Sequence, residues 1–347
     1  MHRENAHSAV PGKQHFNFWR GRFDLTAKAK LFLKIAVSFI LIGSLIYQVD
    51  FSRLISAAFN PSLPLLACVV GIVILQFFVG ACRWFLLISG TGVPLSPWQT
   101  FRILLAGMFF NQALPGSLSA DTVRIWLVSR HGLPLARAAS TVLLDRTAGL
   151  VSILTLLVVT SVTVAKVAPD PNLSTIAILV VGGALLLLAM GLSSADWIAD
   201  MIEDHRYGRH FAAMLRDSRV LWRAGSRSAI VIGLSYLLHV ISAFGLWVVF
   251  QSISVDVDFL MVLGALPLVI LGTLLPISVG GWGVREGLIV GIFAMTGMPL
   301  EQALAASILW GLSVIVAASL GGLLWVLSRP IAERSESLTE IPGTPRI

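Results

Sequence analysis

Long apolar blocks separated by short polar breaks run along the whole chain, without the period-two alternation of half-buried strands. Runs of 17 or more mostly apolar residues fall at Leu31–Val49, Leu63–Ile88, Ala138–Ala165, Ser174–Leu192, Ser228–Phe250 and Leu300–Leu327. Each is long enough as a helix to cross a hydrocarbon core of about 30 Å. Six membrane-crossing helices are expected, and an outer-membrane barrel is set aside because its alternation is missing.

Two further segments, Phe101–Arg130 and Phe259–Gly297, are apolar but interrupted. Each carries one copy of a motif: LPGSLSADTVR at Leu114–Arg124 recurs 161 residues later as LPISVGGWGVR at Leu275–Arg285, with Leu, Pro, Ser, Val and Arg shared. Around the first copy, Phe101–Ala113 and Leu118–Arg130 are 13 residues each. A helix of that length reaches only about 20 Å. The segment is therefore either one kinked span or a re-entrant hairpin of two half-helices.

Loop charge separates the two. Asp196–Arg227 carries Arg206, Arg209, Arg216, Arg219, Arg223 and Arg227, and the first 30 residues carry Arg3, Lys13, Arg20, Arg22, Lys28 and Lys30. Both should face the cytoplasm. Counting Phe101–Arg130 as a hairpin leaves four crossings between them and satisfies both. The second segment then enters from the opposite side, after a Ser252–Asp258 loop with two aspartates and no basic residue. The expected fold is all-α and polytopic, with about six full spans and two re-entrant hairpins in an inverted-topology repeat. Its repeat units are about 101–165 and 259–327. Pro134, Leu135 and Ala138 recur as Pro299, Leu300 and Ala303. Residues 1–30 form a basic cytoplasmic tail, 31–329 the membrane domain and 330–347 a polar cytoplasmic tail. The connector 196–227 is expected as an amphipathic surface helix.

Composition narrows the class. Of 347 residues, 56% are hydrophobic and 12% charged, about half the charge of a soluble domain. The net charge of +7 belongs to loops that orient helices and meet anionic lipid, so no nucleic-acid partner is expected. Cys68 and Cys82 lie 14 residues apart in one expected helix, too far to pair. No metal-ligand spacing, nucleotide fingerprint or catalytic motif is present, and neither a cofactor nor an enzyme activity is expected.

Asp121, Arg124, Asp145, Arg146, Arg285 and Glu286 interrupt these apolar segments. A charge near a helix centre costs roughly 2.5–3.5 kcal/mol on insertion scales. Such groups must face one another, the protein interior or a watery cavity. They either pair as packing salt bridges or bind an anionic headgroup, with the acids setting orientation or taking up protons. Half-helix N-termini after Pro115-Gly116 and after Gly280-Gly281 would add unpaired N–H groups at the same depth. Asn111, Ser117 and Ser278 are expected to satisfy freed backbone groups, and Gly280, Gly281, Gly283 and Gly287 to permit close helix approach. With Pro115, Gly116 and Pro276, these residues make up the candidate substrate site. Arg83 and Trp84 read as an interfacial anchor, and His239 as a hydrogen-bonded packing residue.

The strings NQALPGSLSADTVR (Asn111–Arg124), LLDRTAGL (Leu143–Leu150) and LPISVGGWGVREG (Leu275–Gly287) resemble the membrane domain of the lysylphosphatidylglycerol synthase/flippase-like family, the UPF0104 group. The resemblance runs over roughly Lys30–Arg329. It implies an inner-membrane protein that moves aminoacylated phospholipid between leaflets, or a relative handling other lipids or lipid-linked sugars. Asp121, Arg124, Asp145, Arg146, Arg285 and Glu286 carry over as functional positions. Ser119-Ala120 stand where the family usually has Gly-Gly. Bifunctional members also carry a cytosolic aminoacyl-transferase domain after the membrane part, and synthesis of lysylphosphatidylglycerol is not expected here. The expected function is lipid translocation, with membrane lipids of anionic or sugar-bearing headgroup as partners. Two alternatives stand beside it, a lipid- or glycan-modifying transferase and a non-transporting member of an envelope-synthesis complex. Partnership with envelope-synthesis enzymes and homo-oligomerisation stay open.

Overall fold

The structure, a computed structural model, describes residues 25–59, 61–113, 119–165, 225–275 and 277–339, with isolated residues between 182 and 201. Among the described residues the fold is all-helical. The helices are α1 (Leu25–Gln48), α2 (Phe51–Phe59), α3 (Leu63–Ser89), α4 (Pro97–Ala113), α5 (Ser119–Ser129), α6 (Leu135–Ala165), α7 (Ser226–Ser252), α8 (Phe259–Leu274), α9 (Val284–Ala294) and α10 (Leu300–Thr339).

Four helices are long and apolar enough to cross a membrane: Leu63–Ser89, Leu135–Thr160, Ser226–Ser252 and Leu300–Leu327. They match four of the six expected spans. The expected span Ser174–Leu192 and the connector helix fall almost wholly outside the described residues, as do most of the basic tail and residues 340–347.

The first expected span does not simply end at Val49. Asp50 breaks it, and α2 leaves α1 at a bend of 102°. The cause is local: the Asp50 carboxylate accepts the N–H of Ser52 (2.9 Å) and of Arg53 (3.3 Å), capping a new helix. The Asp50 N–H donates to Glu301 at 3.2 Å, tying the bend to the first turn of α10. Helix α2 buries Leu54 and packs along α10.

The second motif copy stands between two short helices, while Ser119–Arg124 of the first open α5 and its Leu114–Leu118 lie outside the described residues. Helix α4 has 17 residues and α5 has 11; α8 has 16 and α9 has 11. The helices of each pair pack on one another. Helix α4 starts four residues earlier than the apolar run indicates, because Ser96 and Gln99 form a reciprocal capping box just before it. The Gln99 N–H donates to Ser96 Oγ (3.2 Å) and the Ser96 N–H to Gln99 Oε1 (2.8 Å), with Pro97 at the first helical position. Asp258 caps α8 by accepting the Leu260 N–H at 3.0 Å.

The main core cluster draws on α2 through α10, with Val69, Val249, Phe250 and Phe293 fully buried, and a smaller cluster of Ile153, Leu154 and Leu157 on α6 packs against Leu268 and Leu271 of α8. Phe250 of α7 and Phe293 of α9 pack with ring centres 4.8 Å apart and planes tilted by 52°. Around this core the outward faces stay apolar: Leu75, Phe78, Leu237, Phe244, Leu312 and Val316 are all exposed. Helices apolar on every side suit a lipid surround.

Candidate functional site

Five ionisable side chains from three helices form a continuous chain inside the bundle. Asp145, on α6, accepts Arg83 Nε at 2.7 Å on one oxygen and Arg124 Nη2 at 2.9 Å on the other. Arg124, on α5, also reaches Asp121 on its own helix at 3.5 Å. Asp121 is gripped from α6 by Arg146, through Nε at 2.9 Å and Nη2 at 3.0 Å, a two-point contact. Among the described residues the order is Arg83–Asp145–Arg124–Asp121–Arg146, three cations to two anions, one positive charge in excess.

Packing fixes the centre of this chain. The Arg124 guanidinium lies 4.0 Å above the Trp84 ring, and Trp84 is fully buried with its indole N–H directed at Thr141 Oγ1, 3.3 Å away. Gly107 of α4 makes the slot, since a Cβ there would meet Ala120 O at 3.0 Å and Arg124 Cγ at 3.1 Å. Arg124 Nε is buried and bonds no described residue.

Exposure differs sharply along the chain. Side-chain exposure is 2% for Arg124, 4% for Asp145 and 12% for Arg83, but 46% for Arg146. Arg146 is the outlet of the cluster, and its Nη1 bonds no described residue.

Arg83 and Trp84 are not an interfacial anchor. Arg83 lies against α6 and α7, donating to Asp145 and, at 3.0 Å, to Ser235 of α7. A polar seam continues from there between α6 and α7. The His239 ring nitrogen lies 3.0 Å from Ser152 Oγ and 3.3 Å from the Gly149 carbonyl, and the Tyr236 hydroxyl donates to Thr155 at 2.8 Å. His239 is thus the hydrogen-bonded packing residue expected of it. On α6, Thr141, Asp145, Gly149 and Ser152 recur at helical spacing of four and three. That stripe was visible in the sequence, and it is the one signal that could have drawn Arg83 inward.

The second motif copy builds a separate, neutral cluster. Arg285 donates to Glu286 through Nε at 3.0 Å and through Nη2, and its guanidinium lies 4.4 Å above the Trp282 ring. Glu286 is buried, and its other oxygen accepts the Gly283 N–H at 2.6 Å. An acid of this chain therefore fills the N-terminus of α9. Ser307 of α10 adds a donor at 3.3 Å. Gly311 of α10 provides the slot for Arg285, because a Cβ there would collide with the guanidinium. Arg124 and Arg285 thus each have an acid, a tryptophan face and a glycine slot. Among the described residues no hydrogen bond or ion pair joins the two clusters.

The break before α9 turns through Gly280, Gly281 and Gly283, with φ of 58°, 81° and 89°. Gly283 does permit close approach, pressing on Ser38 and Leu41 of α1, whereas a Cβ at Gly287 would meet nothing within 4 Å. The serine that satisfies freed backbone here is not Ser278. Ser38 Oγ accepts the Val279 N–H at 3.0 Å, while Ser278 Oγ is buried and bonds no described residue. Asn111 is half-buried in the last turn of α4. Pro115, Gly116, Ser117 and Pro276 lie outside the described residues. Among the described residues no His, Cys, Asp and Glu group could hold a metal ion.

Apolar outer faces around a bundle with ion-pair clusters in its interior define a multi-pass helical membrane protein. The chain belongs to the family described as the lysylphosphatidylglycerol synthase TM region, whose model matches residues 31–322. It is similar to two UPF0104 membrane proteins of Methanothermobacter thermautotrophicus. One is 23% identical over 336 residues, covering 84% of this chain and 90% of that protein. The other is 20% identical over 273 residues, covering 72% and 80%.

Proposed function

We propose that the protein is a lipid transporter of the inner membrane that moves an anionic or modified lipid between leaflets. Its headgroup meets the protein at Arg146 while the acyl tails remain in the bilayer. The observation that carries this reading is the imbalance of the first cluster: three arginines face two aspartates, and only Arg146 is substantially exposed. Isolated charges inside a membrane are costly, and an excess cation with an open edge favours an anion arriving from outside. A phosphate oxygen at Arg146 Nη1 would complete the alternation of charge.

Arg124 and Arg285 take a different part. Both are held by acids of the chain and rest on tryptophan, so they act as fixed charges that hold half-helices in place. In this reading the pairs α4/α5 and α8/α9 are re-entrant hairpins of an inverted repeat, entering from opposite faces, with the N-terminus in the cytoplasm. Their short lengths and mutual packing support that topology.

Reconstitution tests the proposal. Vesicles containing the purified protein and a headgroup-labelled anionic phospholipid should expose inner-leaflet label to an impermeant quencher, and protein-free vesicles should not. Equal protection in both would count against transport. Chemical alteration of the lipid by the protein in detergent, with no second compartment, would point to a transferase.

A further inference from the structure

Helix α2 takes no part in the charge clusters, and its nine residues divide around the helix axis into three faces. At about 100° per residue, Leu54, Ala57 and Ala58 fall on one side, Phe51 and Ile55 on the next, and Ser52, Arg53 and Ser56 on the third. The first side packs into the core, with Leu54 buried and Ala57 and Ala58 half-buried. The second is apolar yet open, Phe51 being 61% exposed and Ile55 40%. The third is polar and open, with the Arg53 side chain 77% exposed.

The place of α2 in the bundle fixes what meets each open face. It leaves α1 at 102° and joins the end of α1 to the start of α3, so it lies across one end of the bundle. Tyr47 in the last turn of α1 and Leu63 at the first residue of α3 are strongly exposed before and after it. A tyrosine at the end of an apolar helix suits the membrane interface. The open apolar face of α2 therefore adjoins surface that meets lipid. Two side chains offer far less than the roughly 800 Å² that each side of a stable protein complex buries. Arg53 lies 3.7 Å from Asp50, so the polar face brings no net charge. Apolar insertion into a bilayer fits these features, and neither a protein partner nor a charge-driven contact does.

We propose that α2 is an interfacial helix docked on the phospholipid bilayer. Phe51 and Ile55 reach about 5–10 Å into the boundary of headgroups and acyl chains, while Ser52, Arg53 and Ser56 face water. Docking also sets a depth inside the bundle. The Asp50 N–H, just before α2, donates to Glu301 in the first turn of α10. Further along α10, Gly311 receives the Arg285 guanidinium. From Glu301 to Gly311 the helix rises about 15 Å, half of a hydrocarbon core of about 30 Å. A docked α2 thus holds the Arg285–Glu286 pair near the bilayer midplane.

Site-directed spin labelling of the full chain in nanodiscs tests the docking. In a background carrying Cys68→Ala and Cys82→Ala, a nitroxide is attached in turn through Phe51→Cys, Ser52→Cys, Ile55→Cys and Ser56→Cys. All four positions are exposed, so the labels leave the packing of α2 intact. In phosphatidylcholine nanodiscs, the ratio of collisions with oxygen to collisions with a water-soluble nickel chelate should be severalfold higher at 51 and 55 than at 52 and 56. Adding phosphatidylglycerol should leave that pattern unchanged. Equal ratios at all four positions would overturn the docking. Shielding of 51 and 55 from both reagents would show protein on that face, a second copy of the chain included, and would overturn it as well. A pattern seen only with phosphatidylglycerol would make charge the cause of docking, and would overturn the proposal.

Discussion

Arg83 Nε stands 2.7 Å from Asp145 Oδ1, and this pair joins α3 to α6 at the point where α7 also arrives through Ser235. Asp145 serves two arginines at once, so removing its charge leaves Arg83 without an acid and Arg124 with Asp121 alone, at 3.5 Å. Breaking a buried pair from one side costs about 3–5 kcal/mol, because the remaining charge is left unpaired. Asp145→Asn should therefore lower the thermal midpoint of the detergent-solubilised protein sharply, or prevent its recovery as a monodisperse species. A midpoint within a degree or so of wild type would contradict the network.

Trp84 is placed to stabilise Arg124 by its ring face. Trp84→Phe keeps an aromatic face but loses the indole donor to Thr141 and some ring attraction, with an expected loss of about 1–2 kcal/mol. Trp84→Leu should cost more. If the two variants are equally stable by thermal unfolding, the cation–ring contact contributes nothing.

Gly311 is the slot for the Arg285 guanidinium. Gly311→Ala should push that group off Glu286 and cost about 1–3 kcal/mol by overpacking. Glu286→Gln should cost more, since it removes both the partner of Arg285 and the carboxylate that caps α9. Thermal unfolding of the two variants side by side tests this order, and the reverse order would place the stabilisation elsewhere.

Ser38 supplies the acceptor for the Val279 N–H across 241 residues of chain. Ser38→Ala should cost about 1 kcal/mol and raise hydrogen exchange at the break before α9. Unchanged exchange there would mean that α1 does not anchor the break.

These contacts explain which parts of the molecule could be read from residues alone. Asp121, Arg124, Asp145 and Arg146 stand out because each interrupts an apolar segment, and the structure brings all four together. Arg285 and Glu286 were equally visible, but adjacency in sequence could not show that they neutralise one another and that Glu286 occupies the helix end meant for an anion. Arg83 lies six residues before the end of α3, where hydropathy reads a charged residue as an anchor. Only packing against α6 and α7 shows it is internal. Helix α2 was missed for a related reason: one aspartate reads as the end of a span, whereas its side chain starts a new helix at a steep angle. Ser38 offered no signal, being a small residue in an apolar helix whose partner is remote in sequence.

Arg146, the open end of an otherwise closed ion-pair chain, is the residue proposed to receive an anionic headgroup. Arg146→Gln removes the excess charge, leaves two cations to two anions and keeps a side-chain amide that can donate to Asp121, so the protein should still fold. The decisive measurement is the flipping rate of headgroup-labelled phosphatidylglycerol in reconstituted vesicles, with thermal stability checked in parallel. A fall to the protein-free rate in a stable Arg146→Gln protein is the predicted result. Wild-type flipping by that variant would contradict the account.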